Sequence, residues 1–486
     1  MSLNSRFIVG VVSRVQDGVA KVNGLSDVKS GELVQFSRSG LRGVVMGLLK
    51  NSVNVSILGN EAAVMQGDFV ERTYEVASVT VSYSLLGGVV DALGTRIDGG
   101  VAPTDGRRVP VEARAPGVIA RAPVTQPLST GILAVDSIVP VGRGQRQLII
   151  GDRQTGKTTV AVDTILNQRH EESPVFCVYV AIGQKRSSVV QLVNRLKKEG
   201  AMFYTVVVAA TAAESASLQY LAPYTGTAIA EYFREGGAAA LIVYDDLTKH
   251  ANAYRQMSLL LRRSPGREAY PSDVFYVHAR LLERSGRLNE VFGNGSLTAL
   301  PIVETLQGDV SAFIPTNVIS ITDGQTFLDA GLFNRDVRPA INVGLSVSRV
   351  GAAAQPQALK EVSRALKLDL AQFREVESYK SMAGDLDAAT RDTLSRGVRL
   401  QELLKQNKHS PMHLSTQVVL LYAGTKGYCD AASVKCVESV KYFTLRLAAR
   451  RRFESFVHGT KSLSTSEEFL NSYLVFAFDL FTFLGV

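Results

Sequence analysis

The 486-residue chain has no tryptophan, only three cysteines and only six histidines. Cys177, Cys429 and Cys436 fall in no metal-ligand spacing and no histidine pair accompanies them, which excludes a structural zinc site of the familiar kinds. An odd, sparse cysteine count suits a reducing compartment, and Cys177, inside an apolar run, reads as a small core residue. No stretch approaches the roughly 20 apolar residues that a transmembrane helix requires. The nearest, Tyr473 to Val486, is short and interrupted by Asp479. The N-terminus carries neither a signal-peptide pattern nor a long Arg/Ser-rich presequence, so import into an organelle would rest on a segment outside this sequence.

What is present is a globular composition, 46% hydrophobic and 20% charged, long enough for roughly two to four domains. Fifty-three basic against 45 acidic residues leave a net charge of +8. That excess could meet nucleic acid, an anionic membrane surface or acidic partner subunits. The basic residues are spread out, however, and the one tight run is Arg450-Arg451-Arg452. Nucleic acid therefore ranks second to a mildly basic protein that binds a polyanionic nucleotide.

The most specific signal is GDRQTGKT, that is Gly151, Asp152, Arg153, Gln154, Thr155, Gly156, Lys157 and Thr158. It fits G-x-x-x-x-G-K-[ST] at every fixed position. Gln147 to Ile150 before it reads as a buried strand. Val162, Ile165 and Leu166 after it share one face of a helix over Thr159 to Gln168. A loop between strand end and helix start can surround phosphate oxygens with backbone N–H groups, assisted by the helix dipole. Lys157 would reach the β- and γ-phosphates and the Thr158 hydroxyl would ligate magnesium.

Upstream, Arg6 to Val76 reads as short strands such as Phe7–Val12, Val19–Val22, Val44–Met46 and Val53–Ile57, with glycine and Asn/Asp turns at even spacing. This predicts a small β-barrel or sandwich. From Ser78, the loop signals Leu93-Gly94, Asp98-Gly99-Gly100 and Asp105-Gly106, with Pro103, Pro110, Pro116, Pro123 and Pro127, argue against long helices. Downstream, strands at Val175–Ile182, Tyr204–Ala209 and Ala239–Tyr244 alternate with helices, as in a mainly parallel α/β sheet. The last strand ends in Asp245-Asp246. An apolar strand ending in Asp downstream of a phosphate loop resembles a Walker B strand, and Asp245 is the favoured magnesium-side carboxylate. Asp246 reads as the cap of the next helix. From Gln357 the pattern turns helical, with Leu359, Val362, Leu366, Leu370 and Phe373 in one stripe. Leu394, Val398 and Leu403, then Val418–Tyr422 and Val437–Ala449, continue it.

Binding ATP does not establish hydrolysis. A hydrolytic site needs a group that polarises the attacking water, commonly a carboxylate. The place where such a group often stands, after the neighbouring strand, holds Gln184 in Ala181-Ile182-Gly183-Gln184-Lys185-Arg186-Ser187. This favours a site that binds Mg-ATP and barely turns it over; the plainer alternative is a helix-opening residue.

Several segments together resemble the α subunit of the rotary F-type ATP synthase. They are GDRQTGKT, VAIGQKRS (180–187), YDDLTKHANAYRQ (244–256), RPAINVG (338–344), SRVGAAAQ (348–355), VDALG (90–94), LAVDSIVPVGRGQR (133–146) and SRGVRLQELLKQ (395–406). The likeness runs through nearly the whole chain in order. It implies a multidomain α/β architecture: an N-terminal β-barrel at 1–76, a RecA-like phosphate-loop domain at 77–355 and a C-terminal helical domain at 356–486. It further implies three copies alternating with three β subunits around a central-stalk γ subunit, with ATP (or ADP) and Mg2+ at a non-exchanging, non-catalytic site. Carried over by residue, Gly151 to Thr158 bind phosphate and metal, Asp245 serves the magnesium, and Arg338, Pro339 and Gln406 lie near adenine and ribose. Arg349, in SRVG, matches the arginine that reaches into the neighbouring β subunit's catalytic site. The resemblance has departures. Lys408 stands where many relatives carry a second glutamine. The chain starts close to the barrel, without the extension that meets the peripheral stalk, so stalk attachment through another chain is expected. Phe476, Phe478, Phe481 and Phe483 make the last stretch unusually aromatic.

The function expected is proton-driven ATP synthesis, with membrane contact only through the complex. A basic pI near 9.3 leans towards the matrix side of the mitochondrial inner membrane, with bacterial and plastid membranes as alternatives. The rival class is a RecA-type hexameric nucleic-acid translocase, such as a terminator-like helicase, which RNA- or DNA-stimulated hydrolysis by the chain alone would reveal. A self-sufficient hydrolase would show steady ATPase activity without partners. A catalytic F-type subunit is opposed by Gln184.

Overall fold

In the computed structural model of the chain, residues 9–430 are described apart from 26, 102, 104, 172 and 381–387, together with Val437 and Lys441. Cys436, the Arg450–Arg452 run, most of the 437–449 stripe and the aromatic end of the chain lie outside the described residues. The fold divides into two compact units. One takes the chain as far as Ala122, then Val175–Glu304 and Val310–Thr322; the other takes Pro123–Pro174, Thr305–Asp309 and the chain from Asp323.

The first unit opens with β1 (Val9–Gln16), β2 (Val19–Asn23), β3 (Glu32–Phe36), β4 (Arg42–Leu48), β5 (Ser52–Leu58) and β6 (Phe69–Val76). They close a barrel in the order β1-β2-β5-β4-β3-β6, with β6 pairing back onto β1. Asp17 and Gly18 turn β1 into β2 with φ of 47° and 84°. Two positive φ values in succession are what a two-residue hairpin loop matched to strand twist requires. Alternation does the rest: Ala20 and Val22 are buried while Lys21 and Asn23 face water. Val34, Phe36, Val45, Val55, Ile57 and Val70 fill the interior. β3 and β6 are also tied by Arg72, which donates from Nε and Nη2 to the two Glu32 oxygens, both at 2.7 Å. This bidentate pair holds the Glu32 carboxyl below the usual carboxylate range.

The same unit contains a parallel sheet in the order Ser296–Glu304, Ala239–Asp245, Val175–Gln184, Thr205–Thr211, Val89–Val90. Cys177 to Ile182 and Leu241 to Tyr244 are completely buried, as strands covered on both faces must be. Burial also pushes the Cys177 thiol up, out of reach of ionisation. Helix Ala216–Glu235 packs closely on this sheet at Gly226, where a Cβ would lie 2.4 Å from Val180 Cγ2.

In the second unit, Leu148–Gly151 runs parallel to Gly324–Leu328, which pairs antiparallel with Val347–Ser348. Between Ser78 and Gln147, where prolines argue against long helices, the longest helix among the described residues is Leu133–Ile138, six residues. Helices Gln357–Lys380, Ala388–Leu404 and Leu414–Thr425 form the C-terminal layer. Leu359, Val362, Leu366, Leu370 and Phe373 are buried as their spacing predicts. On Ala388–Leu404 the outcome differs. Its buried face is Gly397, Leu400, Leu403 and Leu404, and Val398 is exposed. The cause is a close crossing: a Cβ on Gly397 would lie 2.1 Å from the Phe373 ring. The glycine, not the valine, therefore faces the neighbouring helix.

Two fully buried histidines give the first unit a predictable acid response. His250 and His278 stand 5.4 Å apart, ring to ring. His250 Nε2 lies 3.1 Å from the Tyr220 carbonyl, and neither nitrogen of His278 has a hydrogen-bond partner among the described residues. Burial pushes His250 down to about 4 and His278 down to about 3. The unfolded chain takes up these protons below about pH 6.5 while the folded chain refuses them. Stability is therefore fully present above pH ~6.5 and declines as pH falls towards 4. The change is roughly 3 kcal/mol for His250 alone by linkage. Urea midpoints should drop between pH 7.5 and 5, and His278→Leu should flatten that slope. An unchanged slope in the variant would refute the assignment.

Candidate nucleotide site

The phosphate loop lies in the second unit. Its strand stops at Gly151, where a Cβ would meet the Leu328 carbonyl at 2.5 Å and Thr155 Oγ1 at 3.1 Å, so glycine is needed for the close approach. The chain then turns through Gln154 (φ 62°) and Gly156 (φ 96°). Gly156 opens helix Lys157–Asn167 in the left-handed conformation, without a side-chain cap. An uncapped helix start of this kind offers N–H groups and the positive dipole end to an anion. Lys157 is buried, and its Nζ donates to the carbonyls of Gly151, at 2.8 Å, and Asp152. The ammonium is thus held within the loop itself. Arg153, Gln154 and Thr158 are exposed. These features fit a polyphosphate: close backbone approach, an uncapped helix start and one ammonium within the loop.

Residues outside the motif also hold the loop in shape. Asp152 Oδ1 accepts from Thr305 Oγ1 at 2.7 Å and from the Gly308 N–H at 2.8 Å. Asp152 is therefore a fastener as well as a loop residue. Below the loop, Asp163 on the loop helix accepts from both the backbone N–H and Nδ1 of His409, each at 3.0 Å.

The residues expected around the base come together in part. The Gln406 N–H donates to the Arg338 carbonyl at 2.8 Å. The Gln406 side chain is occupied elsewhere: Oε1 accepts from Leu133 N at 3.0 Å, and Nε2 donates to Gly131 O at 2.8 Å and Ser410 O at 2.7 Å. The Arg338 guanidinium lies 4.4 Å over the Phe333 ring and pairs with Asp336 at 2.9 Å. Pro339 lines a small cavity of about 50 Å³ of mixed character, with Leu332, Leu370 and Phe373 among its apolar lining and Arg374 and Glu377 among its polar lining. Lys408 is exposed.

Arg349 is exposed on a firm base. Its N–H donates to the Asp323 carbonyl at 2.8 Å. Next to it, Ser348 Oγ donates to Pro140 O at 2.8 Å and accepts from Gln145 Nε2 at 3.1 Å. The guanidinium has no ion-pair partner among the described residues.

Asp245 and Gln184 lie in the first unit. Asp245 is buried at its strand end, and its Oδ2 accepts from the Tyr179 hydroxyl at 2.5 Å. Gln184 Nε2 donates to the Asp245 carbonyl at 3.1 Å. Gln184 closes its strand, and the following helix, Arg186–Lys198, is opened by Lys185 instead. Asp246 caps helix Leu247–Leu260, accepting from Lys249 N at 2.7 Å, as the strand-end pattern predicts.

A strand ending in glycine, a loop closing on its own lysine and an uncapped helix define a phosphate-loop nucleotide-binding protein. The barrel ahead of it and the helical layer behind it narrow the class further. Family models match all three parts: the beta-barrel domain of the ATP synthase alpha/beta family at residues 7–74, its nucleotide-binding domain at 131–348 and its C terminal domain at 355–470. The chain belongs to the ATP synthase alpha/beta family. The expected order of β-barrel, α/β nucleotide domain and helical domain is the order found.

The geometry makes Gln406 a clasp between the C-terminal helices and the Gly131–Leu133 turn. Gln406→Ala should lower folding stability by about 1–2 kcal/mol through its lost hydrogen bonds, read as a shift in the urea midpoint. No shift would show that the clasp contributes nothing.

Proposed function

We propose that this chain is the α-type, non-catalytic nucleotide-binding subunit of an F-type ATP synthase head, acting in proton-driven ATP synthesis. Gly151 to Thr158 bind the phosphates of ATP or ADP. Thr158 and Asp245 serve Mg2+, and Arg338, Pro339 and Gln406 shape the surroundings of the base. A magnesium ion there screens the phosphate charge. The observation that carries the reading is Gln184. An uncharged amide stands where a hydrolytic site commonly needs a carboxylate, and its Nε2 is committed to the Asp245 carbonyl at 3.1 Å. Such a group does not take a proton from water.

The chain then contributes to catalysis by lending charge. Arg349 is the residue that would enter a β-type neighbour's site in an alternating hexamer, a role supported by its exposure on an anchored backbone. A guanidinium at a γ-phosphate neutralises charge spread over the equatorial oxygens. The same reading supplies central-stalk γ-type and peripheral-stalk partners and residence on the matrix side of the mitochondrial inner membrane.

Arg349→Ala should reduce turnover of the reconstituted hexamer by roughly 10³–10⁵-fold, the usual magnitude for such an arginine. Nucleotide binding by the variant chain itself should persist. Unchanged turnover would remove the role in trans, and RNA-stimulated hydrolysis by the chain alone would replace the reading with a translocase.

A further inference from the structure

Tyr179 has no part in the roles assigned above, yet its hydroxyl donates to the Asp245 carboxylate. Register explains how. In the parallel ladder Ala181 pairs with Asp245, and Tyr179 pairs with Val243. Side chains two residues apart along a strand share a face, so Tyr179 shares the face of Ala181 and Asp245. Ala181 is small, and the phenol passes it to reach Asp245 Oδ2 at 2.5 Å.

Gln184 reaches the same place by a different device. Regular alternation would aim it at the opposite face from Tyr179. The ladder to Thr205–Thr211 slips between Ile182 and Gln184, and Gly183 adopts φ 59°. This bulge turns Gln184 round, a common use of bulges beside functional sites. Its Nε2 then stands 3.1 Å from the Asp245 carbonyl and 3.5 Å from the Tyr179 hydroxyl.

We infer that Tyr179 is a positioning residue for the magnesium-side carboxylate, its hydroxyl fixing the rotation of the Asp245 side chain so that the metal increment of nucleotide binding is preorganised. The inference rests on the reading that Asp245 serves Mg2+. A carboxylate at a strand end can rotate, and each rotation presents a different oxygen to the ion; one hydrogen bond to Oδ2 selects among them. A phenol keeps its proton at physiological pH, so the hydroxyl remains a donor.

The test is the ratio of ATP dissociation constants measured on the full-length chain in EDTA and in excess Mg2+, by equilibrium dialysis. Tyr179→Phe keeps the ring and removes only the hydroxyl. It should shrink the ratio by about 10-fold, the scale of a hydrogen bond to a charged group, and leave the affinity in EDTA unchanged. Asp245→Asn should abolish the magnesium increment, and adding Tyr179→Phe to it should change nothing more. Equal loss of affinity in both conditions, or an unchanged ratio, would overturn the inference by making Tyr179 a packing residue. If Asp245→Asn leaves the ratio intact, the inference falls through its premise, and the magnesium assignment of Asp245 falls with it.

Discussion

The ladder that sets Ala181 opposite Asp245 governs the chemistry of the first unit. Its strands are buried on both faces, so no charged group is tolerated along their length. Carboxylate and amide side chains appear only where these strands end. Asp245, Asp246 and Gln184 occur there, and each is satisfied by a partner supplied by the same ladder or the next helix. One register decides which face Asp245 points to, which tyrosine reaches it and, with one bulge, where an amide lands. A slip of one residue would move all three to the other face.

A second constraint, backbone proximity, rules the other unit. The phosphate loop works only if its main chain comes close to its surroundings, and Gly151 allows that against Leu328. Proximity must then be maintained. Thr305 and Gly308 hold Asp152, and His409 holds Asp163 beneath the loop helix. Asp136, buried, accepts from Thr130, Gly131 and Gln417. Burial outweighs those bonds and raises its carboxyl above the usual range. The segment between helices Ala388–Leu404 and Leu414–Thr425 is thus bonded to the loop helix at one point and to the Gly131–Leu133 turn at another. Displacement of one would be felt by the other through polar contacts rather than through an apolar interface.

Much of this was legible in the residues. Short apolar runs separated by evenly spaced glycine and Asn/Asp turns marked the barrel strands, and the phosphate-loop spacing placed a strand and a helix within two residues of where they lie. The strand-end position identified Asp246 as a cap. Periodicity failed at Val398, because a helix crossing needs its smallest residue at the contact and hydrophobicity does not encode that. The Val175 strand runs on to Gln184 because a glycine bulge continues the pairing, which no local pattern announces. Tyr179 and the Thr305 and Gly308 fasteners escaped for one reason: each acts through a partner far along the chain. Pairwise register would have exposed Tyr179, since a tyrosine two places before the residue facing a strand-end aspartate shares its face.

The functional reading joins these points. Family membership supplies a nucleotide-binding head subunit, and the proposed character rests on three features: the phosphate loop, Gln184 bonded at a strand end and the exposed Arg349. The central claim is retention without turnover. Its most direct test is a single-turnover experiment on the isolated full-length chain, following bound nucleotide and released phosphate together in Mg2+. The account predicts that ATP stays bound and intact long after phosphate release would have finished at a hydrolytic site. Sustained, stoichiometric phosphate release by the chain alone would contradict it.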